Sequence, residues 1–351
     1  GSAQLAEGEA GLNIGISGTD NTNSLTLTGL DASDTFASTS DEQAADVTVF
    51  KNATLVLGDN AYTGNKSIGK IKLGDGAALK VLGAGSDATV NSGAITTTQT
   101  GTTVEASRVT LNVSGNIGDA AHSIANVTAN AANIVANGDV YAGNVTLANG
   151  VLTANEVPAA AEGAPATGGN ITVDSLAGQG AVVADNTLTV NNAYVGADTD
   201  ALALQANVLN TSADFDSTEG TVAIEAAQWN ASGLTTLKGD TVVLTEAGNF
   251  TGAFSMDGGA FVAQSEDADA PATLTFSDGA TFTNGASVLA DSISMGVDKT
   301  LSVGSAADTI GGTTLSARHI NLNRGMLLVD PAWGLTSSNV AVESLSATTA
   351  A

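Results

Sequence analysis

The sequence predicts an all-β chain that folds as a right-handed parallel β-helix, or β-solenoid, with irregular loop insertions. Short stretches alternate apolar with small polar residues, and each stretch ends at Gly, Asn or Asp. The stretches also recur at intervals close to twenty residues, as in a solenoid, where every coil returns to the same edge while its loops vary in length. The right hand is the usual one for parallel crossover connections.

The strand-like stretches run along nearly the whole chain. Examples are "LTLTGL" from Leu25, "TLVLG" from Thr54, "VTLNVSG" from Val109 and "LTFSDG" from Leu274. In the second half, stretches that begin at Ile171, Leu188, Leu202, Val222 and Val242 are 17, 14, 20 and 20 residues apart. Coils of about twenty residues would give about seventeen coils.

A β-sandwich would also produce short strands, so the periodicity alone leaves this alternative open. The short strands, the presence of only four Pro and the scarcity of bulky residues favour the solenoid. Hydrophobic residues make up 43% of the chain but aromatics only 4%, which predicts a core of Val, Leu, Ile and Ala. We expect Trp229 and Trp333 to be end-caps or loop anchors, and residues 327–334 to seal the last coil.

The charge balance bears on the possible partners. Ten Lys and Arg against 36 Asp and Glu give a net charge of −26, which disfavours binding to nucleic acid and to anionic membrane surfaces. No apolar run is long enough to span a bilayer, so we expect no direct membrane insertion. The absence of Cys excludes a disulfide framework, a thiol nucleophile and a thiolate metal site.

Four segments interrupt the strand pattern, and we expect projecting loops there. They lie near residues 31–46, 156–169, 196–220 and 264–272. The segment 156–169 holds two of the four Pro and is either a loop or a domain boundary. The motif Asn-x-Ser/Thr occurs nine times, as at Asn112 and Asn144. We interpret these Asn residues as turn residues that precede Val-Thr strands rather than as glycosylation sites.

Clustered carboxylates in two of these segments could bind calcium, which prefers six to eight oxygen ligands. No stretch matches an EF-hand loop or the glycine-rich repeat of calcium-binding rolls, so solvated acidic loops are the alternative. We expect no other cofactor. The calcium candidates are Asp198, Asp200, Asp214, Asp216, Glu266, Asp267 and Asp269.

Five of the seven Lys residues fall between positions 51 and 80. They could form a basic patch for an acidic glycan or protein, with Lys66, Lys70 and Lys72 as ligand-binding candidates; the alternative is charge balance on an exposed face. Lys70 and Lys72 alternate with Ile71 and Leu73, which predicts that the two lysines share one outward face.

Parallel β-helices also carry polysaccharide lyases and hydrolases. A lyase needs a base and cations, and a hydrolase needs paired carboxylates. Arg318 and His319, near Arg324, are the one place where Arg and His gather in the sequence. The chain has only two His and few aromatics for sugar stacking, so we expect that it is not an enzyme.

Residues 274–295, "LTFSDGATFTNGASVLADSISM", and 71–83, "IKLGDGAALKVLG", resemble the passenger regions of Gram-negative autotransporters. The resemblance implies export to the bacterial cell surface, a parent protein anchored in the outer membrane, and a role as an adhesin or self-associating factor in colonisation. The sequence departs from that family in lacking the membrane barrel and a signal peptide. We therefore expect Gly1 and Ser2 to be a cloning scar and residues 3–351 to be a single solenoid passenger fragment.

The resemblance implies host surface glycans, matrix proteins or a second copy of the chain as partners. Two other functions fit the same fold. The chain could be a non-binding spacer or surface-layer element, or, in third place, a β-helical polysaccharide-acting enzyme. Fold alone does not choose between them.

Overall fold

The structure is a computed structural model that describes residues 11–14, 24–27, 46–159, 165–192, 194–195, 201–330 and 337–347. In these ranges all regular secondary structure is β-strand and no helix occurs. Neighbouring strands stack in parallel and form a β-solenoid of about 12 turns, which confirms the predicted all-β solenoid. Within the same ranges, no helix has the length and apolarity needed to cross a membrane.

The coils are longer and fewer than expected. Side chains in equivalent positions of successive coils are 18 residues apart at Asn126 and Asn144, but 31 residues apart at Asn144 and Ser175. Loops between the strands account for the difference, because a coil can lengthen at its corners without changing the pairing of its strands.

The chain divides into two compact units, residues 1–186 and residues 187–351. In unit 1, three strand segments of each coil pair with their equivalents in the next coil and form three parallel ladders. The strands are β1 Gly11–Ile14, β2 Ser24–Leu27, β3 Asp46–Val49, β4 Thr54–Leu57, β5 Gly64–Ile68, β6 Ile71–Leu73, β7 Ala78–Leu82, β8 Ala88–Ser92, β9 Ile95–Thr97, β10 Thr103–Ser107, β11 Thr110–Val113, β12 Ile124–Asn130, β13 Asn133–Asn137, β14 Val140–Val157, β15 Thr167–Gly168 and β16 Ile171–Val190, which continues past the unit boundary.

The core of unit 1 follows from strand alternation. Inward-facing aliphatic side chains of successive coils lie directly above one another, and the buried ones are at most 4% exposed. One such row consists of Leu55, Leu79, Val104, Val127, Val145 and Leu176.

Several turns and corners of unit 1 use Asn or Gly, which tolerate a left-handed backbone. Asn52 and Asn149 have φ of 57° and 58°. Gly178 has φ of 103°, and a Cβ there would lie 1.9 Å from the carbonyl oxygen of Leu147, so only Gly fits.

Unit 2 repeats the three-ladder arrangement. Two of the ladders meet at a corner inside single long strands, as at Asp291 of β27, where two consecutive residues are buried. The strands are β17 Tyr194–Val195, β18 Ala201–Thr211, β19 Phe215–Asp216, β20 Thr221–Ala231, β21 Thr235–Lys238, β22 Thr241–Phe250, β23 Phe254–Asp257, β24 Ala260–Ala263, β25 Thr273–Phe276, β26 Ala280–Thr283, β27 Ser287–Met295, β28 Thr300–Val303, β29 Thr314–Asn321, β30 Met326–Val329 and β31 Asn339–Ser346.

The core of unit 2 corrects the expected place of one tryptophan. Trp229 is fully buried in the core, between Phe215 and Phe250 at centroid distances of 5.4 and 5.1 Å. Its indole N–H donates a hydrogen bond to the hydroxyl of Thr211 at 3.1 Å, so the buried donor is satisfied. The equivalent position in the next coil is Gly248, where side chains of Leu274, Phe250 and Leu244 occupy the space that a Cβ would take.

The insertions turn out differently from one another. Residues 31–45 and 196–200 lie outside the described residues. For residues 196–220 the expectation of a loop is wrong over Ala201–Thr211 and Phe215–Asp216, which are strands. These stretches keep the alternation of buried and exposed residues. In the sequence, the neighbouring carboxylates make that alternation hard to recognise.

The other two insertions interrupt the parallel ladders. Within 156–169, Glu156 and Val157 pair in an antiparallel direction with Gly168 and Thr167, which brings the two ends of the segment together, and residues 160–164 lie outside the described residues. Residues 264–272 contain no strand. The segment expected to seal the last coil, 327–334, begins within β30, and Trp333 lies outside the described residues.

Candidate functional site

The outward sides of both units carry rows of hydrogen-bonded amides. In unit 1 the side-chain amide of Asn91 donates to Asn65, and that of Asn112 donates to Asn91 at 3.0 Å. In unit 2 the amide of Asn230 donates to Asn210 at 3.0 Å and that of Asn249 donates to Asn230 at 2.9 Å. These rows present polar groups spaced about 4.8 Å apart, which is the spacing between paired strands.

The amide rows explain the repeated Asn-x-Ser/Thr motif. The expectation that these Asn residues form turns is wrong for Asn112 and Asn144, which lie inside β11 and β14. The alternation of the strand points each Asn outward, where its amide pairs with the residue in the same position of the previous coil. At these two positions the motif is therefore a consequence of stacking, whereas Asn52, which begins another such motif, lies in a turn.

At one corner of unit 2, polar and charged side chains line a groove. Ala263 pairs with Ala290, Ala290 with Ala317, and Ala317 with Val342. The residues that follow these four occupy equivalent positions in four successive coils; they are Gln264, Asp291, Arg318 and Glu343. A groove of about 420 Å³ runs across this corner. Its lining includes Gln264, Leu289, Ser316, Arg318, Val342 and Glu343.

Asp291 lies at the base of the corner and connects the groove to the insertion 264–272. Its carboxylate is only 1% exposed. One oxygen accepts hydrogen bonds from the backbone N–H of Ser265 at 2.8 Å and of Ala272 at 3.2 Å, so it fixes both ends of the insertion. The other oxygen lies 3.4 Å from Nε of Arg318. Because a buried carboxylate requires such partners, Asp291 anchors both ends of the loop, and it forms an ion pair with the guanidinium without a hydrogen bond to it.

Arg318 and Glu343 face solvent in the groove, while Gln264 is half-buried. The ion pair with Asp291 engages Nε of Arg318, which leaves the outer edge of the guanidinium directed away from the buried carboxylate. Leu289, at 37% exposure, adds an apolar surface beside them. The groove thus combines hydrogen-bond donors, acceptors and an apolar wall.

His319 does not join Arg318 in the groove, although the two are adjacent in sequence. The corner directs His319 to the neighbouring side of the coil, where its Nδ1 lies 2.5 Å from the hydroxyl of Ser344. Arg324 lies in a turn and pairs with Asp298 at 2.7 Å. The structure therefore separates the three residues that are gathered in sequence.

A second buried carboxylate of unit 2, Asp240, belongs to a turn and not to the groove. It accepts hydrogen bonds from the backbone N–H of Val222 at 2.6 Å and of Lys238 at 2.9 Å, and from the hydroxyl of Ser217. Burial raises the pKa of Asp240, and these hydrogen bonds only partly offset that shift. The contacts point to a structural role in holding the turn.

The three lysine candidates do not form one surface. Lys66 is 4% exposed, with its ammonium group 4.6 Å from the ring centroid of Tyr62, so its assignment to an exposed basic patch is wrong. Lys66 occupies an inward position of β5, in phase with the buried Ile68. Lys70 and Lys72 are exposed, and Lys72 faces outward between the buried Ile71 and Leu73, as predicted.

The calcium candidates among the described residues are dispersed, and several accept hydrogen bonds from backbone N–H groups. Asp198 and Asp200 lie outside the described residues. Asp214 accepts a hydrogen bond from the backbone N–H of Leu234, and Asp216 accepts one from that of Thr218.

The carboxylates of the insertion 264–272 are arranged in a similar way. Glu266, Asp267 and Asp269 are exposed, and Asp267 accepts a hydrogen bond from the backbone N–H of Asp269 at 2.9 Å. Within the described part of the chain, no three His, Asp or Glu side chains form a group that could hold a metal ion.

Comparison with known proteins gives no family for this chain. No protein-family model, no curated protein sequence and no solved structure matches it.

Proposed function

We propose that the protein is a fragment of a bacterial cell-surface adhesin that binds ligands through the outward sides of its solenoid. The observation that carries this proposal is the corner groove of unit 2, where Gln264, Arg318 and Glu343 line up over successive coils beside exposed apolar groups. A side that only had to stay solvated would need neither an apolar wall nor an arginine held by a buried carboxylate.

The rows of outward amides and hydroxyls support the same proposal. They repeat at the spacing of the coils, so a ligand that runs along the solenoid would meet the same hydrogen-bonding group several times. Each contact is weak, but contacts made together by one ligand add through effective concentration. The partners proposed are host surface glycans, matrix proteins or a second copy of the chain, met at the cell surface or outside the cell.

The test is attachment of the purified chain to immobilised mucin, extracellular-matrix proteins and glycans, with sedimentation at several concentrations to detect self-association. We expect saturable binding to at least one ligand or a reversible dimer. Calcium is included and omitted in parallel. A monomer that binds no ligand on the panel would contradict the adhesin and favour the spacer.

Three pairs of substitutions, one pair for each side of the unit 2 coil, identify the surface that binds. In each double variant, two small outward residues are both changed to the longer neutral Gln. The three pairs are Ser316 and Ala341, Thr275 and Ser294, and Thr281 and Ser302. An adhesin loses attachment when one pair is changed, while the other two pairs serve as its controls. For a non-binding spacer, none of the three pairs changes attachment. Circular dichroism checks that each variant keeps its strands.

Sugar release from a polysaccharide panel tests the polysaccharide-acting enzyme in the same preparation. Asp291 and Glu343 are two coils apart, roughly 10 Å by the strand spacing, close to the separation that inverting glycosidases use. Asp291 is nevertheless committed to two backbone N–H groups and to Arg318. The adhesin therefore predicts binding without release of sugar fragments.

A further inference from the structure

We propose that the corner groove of unit 2 binds a neutral oligosaccharide, an inference that rests on the adhesin function proposed above and assigns its ligand. The groove spans four coils between Gln264 and Glu343, which is roughly 14 Å by the strand spacing. Its volume of about 420 Å³ lies in the range of small-ligand sites.

The polar groups of the groove match sugar hydroxyls, which both donate and accept hydrogen bonds. Arg318 supplies donors only, Glu343 supplies acceptors only, and the Gln264 amide supplies both. The ion pair with the buried Asp291, at 3.4 Å and without a hydrogen bond, keeps the guanidinium near the groove before a ligand arrives. A side chain restrained in this way loses less conformational entropy on binding than a free side chain does.

The charges of the groove favour a neutral ligand over a charged one. Arg318 and Glu343 occupy adjacent coils, about 5 Å apart along the solenoid axis. An acidic sugar that paired with Arg318 would place its carboxylate beside Glu343, within a protein of net charge −26. An amino sugar that paired with Glu343 would likewise lie beside Arg318. A neutral sugar meets neither repulsion.

The apolar wall and the strand pairing favour a sugar over an extended peptide. Leu289 and Val342 offer aliphatic surface on which the C–H face of a sugar ring can pack. A peptide would bind most readily by adding a strand to an open edge. The central strands of the groove, β27 and β29, are already paired on both sides.

The experiment is isothermal titration of the whole chain with linear tetrasaccharides of three charge classes. The neutral probes are maltotetraose and tetra-N-acetylchitotetraose, the acidic probe is tetragalacturonate, and the basic probe is a chitosan tetramer. A neutral extended peptide of similar length is the fifth probe. We expect saturable binding of a neutral probe and at least tenfold weaker binding of the other three.

Substitutions then place the bound sugar in the groove. Arg318→Gln and Glu343→Gln are each expected to raise the Kd of the neutral probe at least tenfold. Arg324→Gln is the matched control for Arg318→Gln, since it removes the same charge from a surface ion pair outside the groove and leaves the Kd unchanged. Arg318→Gln leaves Asp291 without its cation and could unfold the corner. Glu343→Gln, at an exposed position, and Gln264→Ala, at a half-buried position, therefore provide independent tests.

Each outcome decides the inference. Stronger binding of the acidic, basic or peptide probe overturns the neutral sugar. Binding of a neutral probe that survives Glu343→Gln, Gln264→Ala and Arg318→Gln overturns the groove as the site. A chain that binds none of the probes also overturns the neutral sugar. In all three cases, attachment of the whole chain to mucin or matrix protein still supports the adhesin, whereas a chain that binds no probe and no surface overturns both proposals.

Discussion

The two units build the same coil around different cores. In the described part of unit 1, Tyr62 is the only aromatic residue among the buried core side chains, and aliphatic rows fill the interior. In unit 2 the core is a continuous group of rings with centroids 4.7–6.1 Å apart; its members are Phe215, Trp229, Phe250, Phe254, Phe261, Phe276 and Phe282.

The difference shows how a narrow solenoid accommodates large side chains. Rings occupy neighbouring coils of one row at Phe250 and Phe276, which stack on each other. The row through Trp229 instead continues with Gly248 and then Leu274. A large residue and a missing side chain in neighbouring coils together fill the volume that two medium aliphatic residues would fill. The strand ladders therefore fix the backbone, and the core composition varies within it.

The largest expected effect is the loss of a core side chain from each unit. Trp229→Ala is expected to lower the free energy of unfolding by about 3–5 kcal/mol, and Leu111→Ala in unit 1 by about 2–5 kcal/mol. The tryptophan loses more because it contacts two rings and leaves the larger cavity. Guanidinium unfolding followed by circular dichroism measures both. A Leu111→Ala cost that exceeds that of Trp229→Ala would contradict the central role of the ring core.

The pairing of a large with a small residue is tested by filling the space at Gly248. A Cβ at this position would lie 2.8 Å from atoms of both Leu274 and Phe250, so Gly248→Val is expected to destabilise the chain by about 1–3 kcal/mol through overpacking. Ala247→Val, at the neighbouring outward position, is the matched control and should stay within about 0.5 kcal/mol of the parent. Equal effects of both substitutions would mean that the core adapts to the added volume.

One aspartate in each unit should make stability depend on pH, and the two dependences should have opposite signs. Burial raises the pKa of Asp240 in unit 2 above its ordinary value of 3.8, so the folded state keeps a proton that the unfolded state has released. Its stabilising contribution is therefore greatest at low pH and declines as the pH rises through the folded pKa. In unit 1 a hydrogen bond from the backbone N–H of Ala121, with a further one from that of His122, lowers the pKa of Asp119. Its contribution is present above 3.8 and is lost as the pH falls through the folded pKa.

Unfolding of Asp240→Asn and Asp119→Asn over the acidic pH range tests this contrast. The stability of the parent relative to Asp240→Asn should fall as the pH rises, and its stability relative to Asp119→Asn should rise. The difference between parent and variant removes the titration of all other groups. Two curves of the same slope would contradict the assigned environments.

The smallest expected effect concerns surface ion pairs. Lys80 and Glu105 of unit 1 lie 2.9 Å apart, and Lys299 and Asp278 of unit 2 form a comparable pair. All four side chains are partly exposed, so water and salt screen their attraction. Lys80→Gln and Lys299→Gln should each change the free energy of unfolding by about 0–1 kcal/mol, and less at high salt. A larger loss in either unit would mean that stability depends on surface charge more than on the core.

The sequence predicts the strands well because a period of two is a local signal. Coil length is not local, so twenty residues per coil overestimates the number of coils. The ring core is missed because the low aromatic content of the whole chain conceals a concentration of rings between residues 215 and 282. Lys66 is misplaced although its phase with Ile68 marks an inward position. The right hand of the coil stays a prediction.

The groove could have been found from sequence only by a search at the coil length of unit 2. Gln264, Asp291, Arg318 and Glu343 are separated by 27, 27 and 25 residues, and nothing in their immediate neighbours singles them out. Stacking alone brings them together. The acidic clusters were conspicuous by contrast, yet their side chains serve their own turns.

The antiparallel pairing of β14 with β15 makes the intervening segment a permissive position in the fold. Val157 and Thr167 face each other in register, so the two ends of the segment are joined by the ladder itself. The closure cost of a flexible loop grows only slowly with its length, by about 0.6 kcal/mol for each doubling. A foreign epitope or a small domain could therefore be grafted between these strands without shifting the register of the coils on either side.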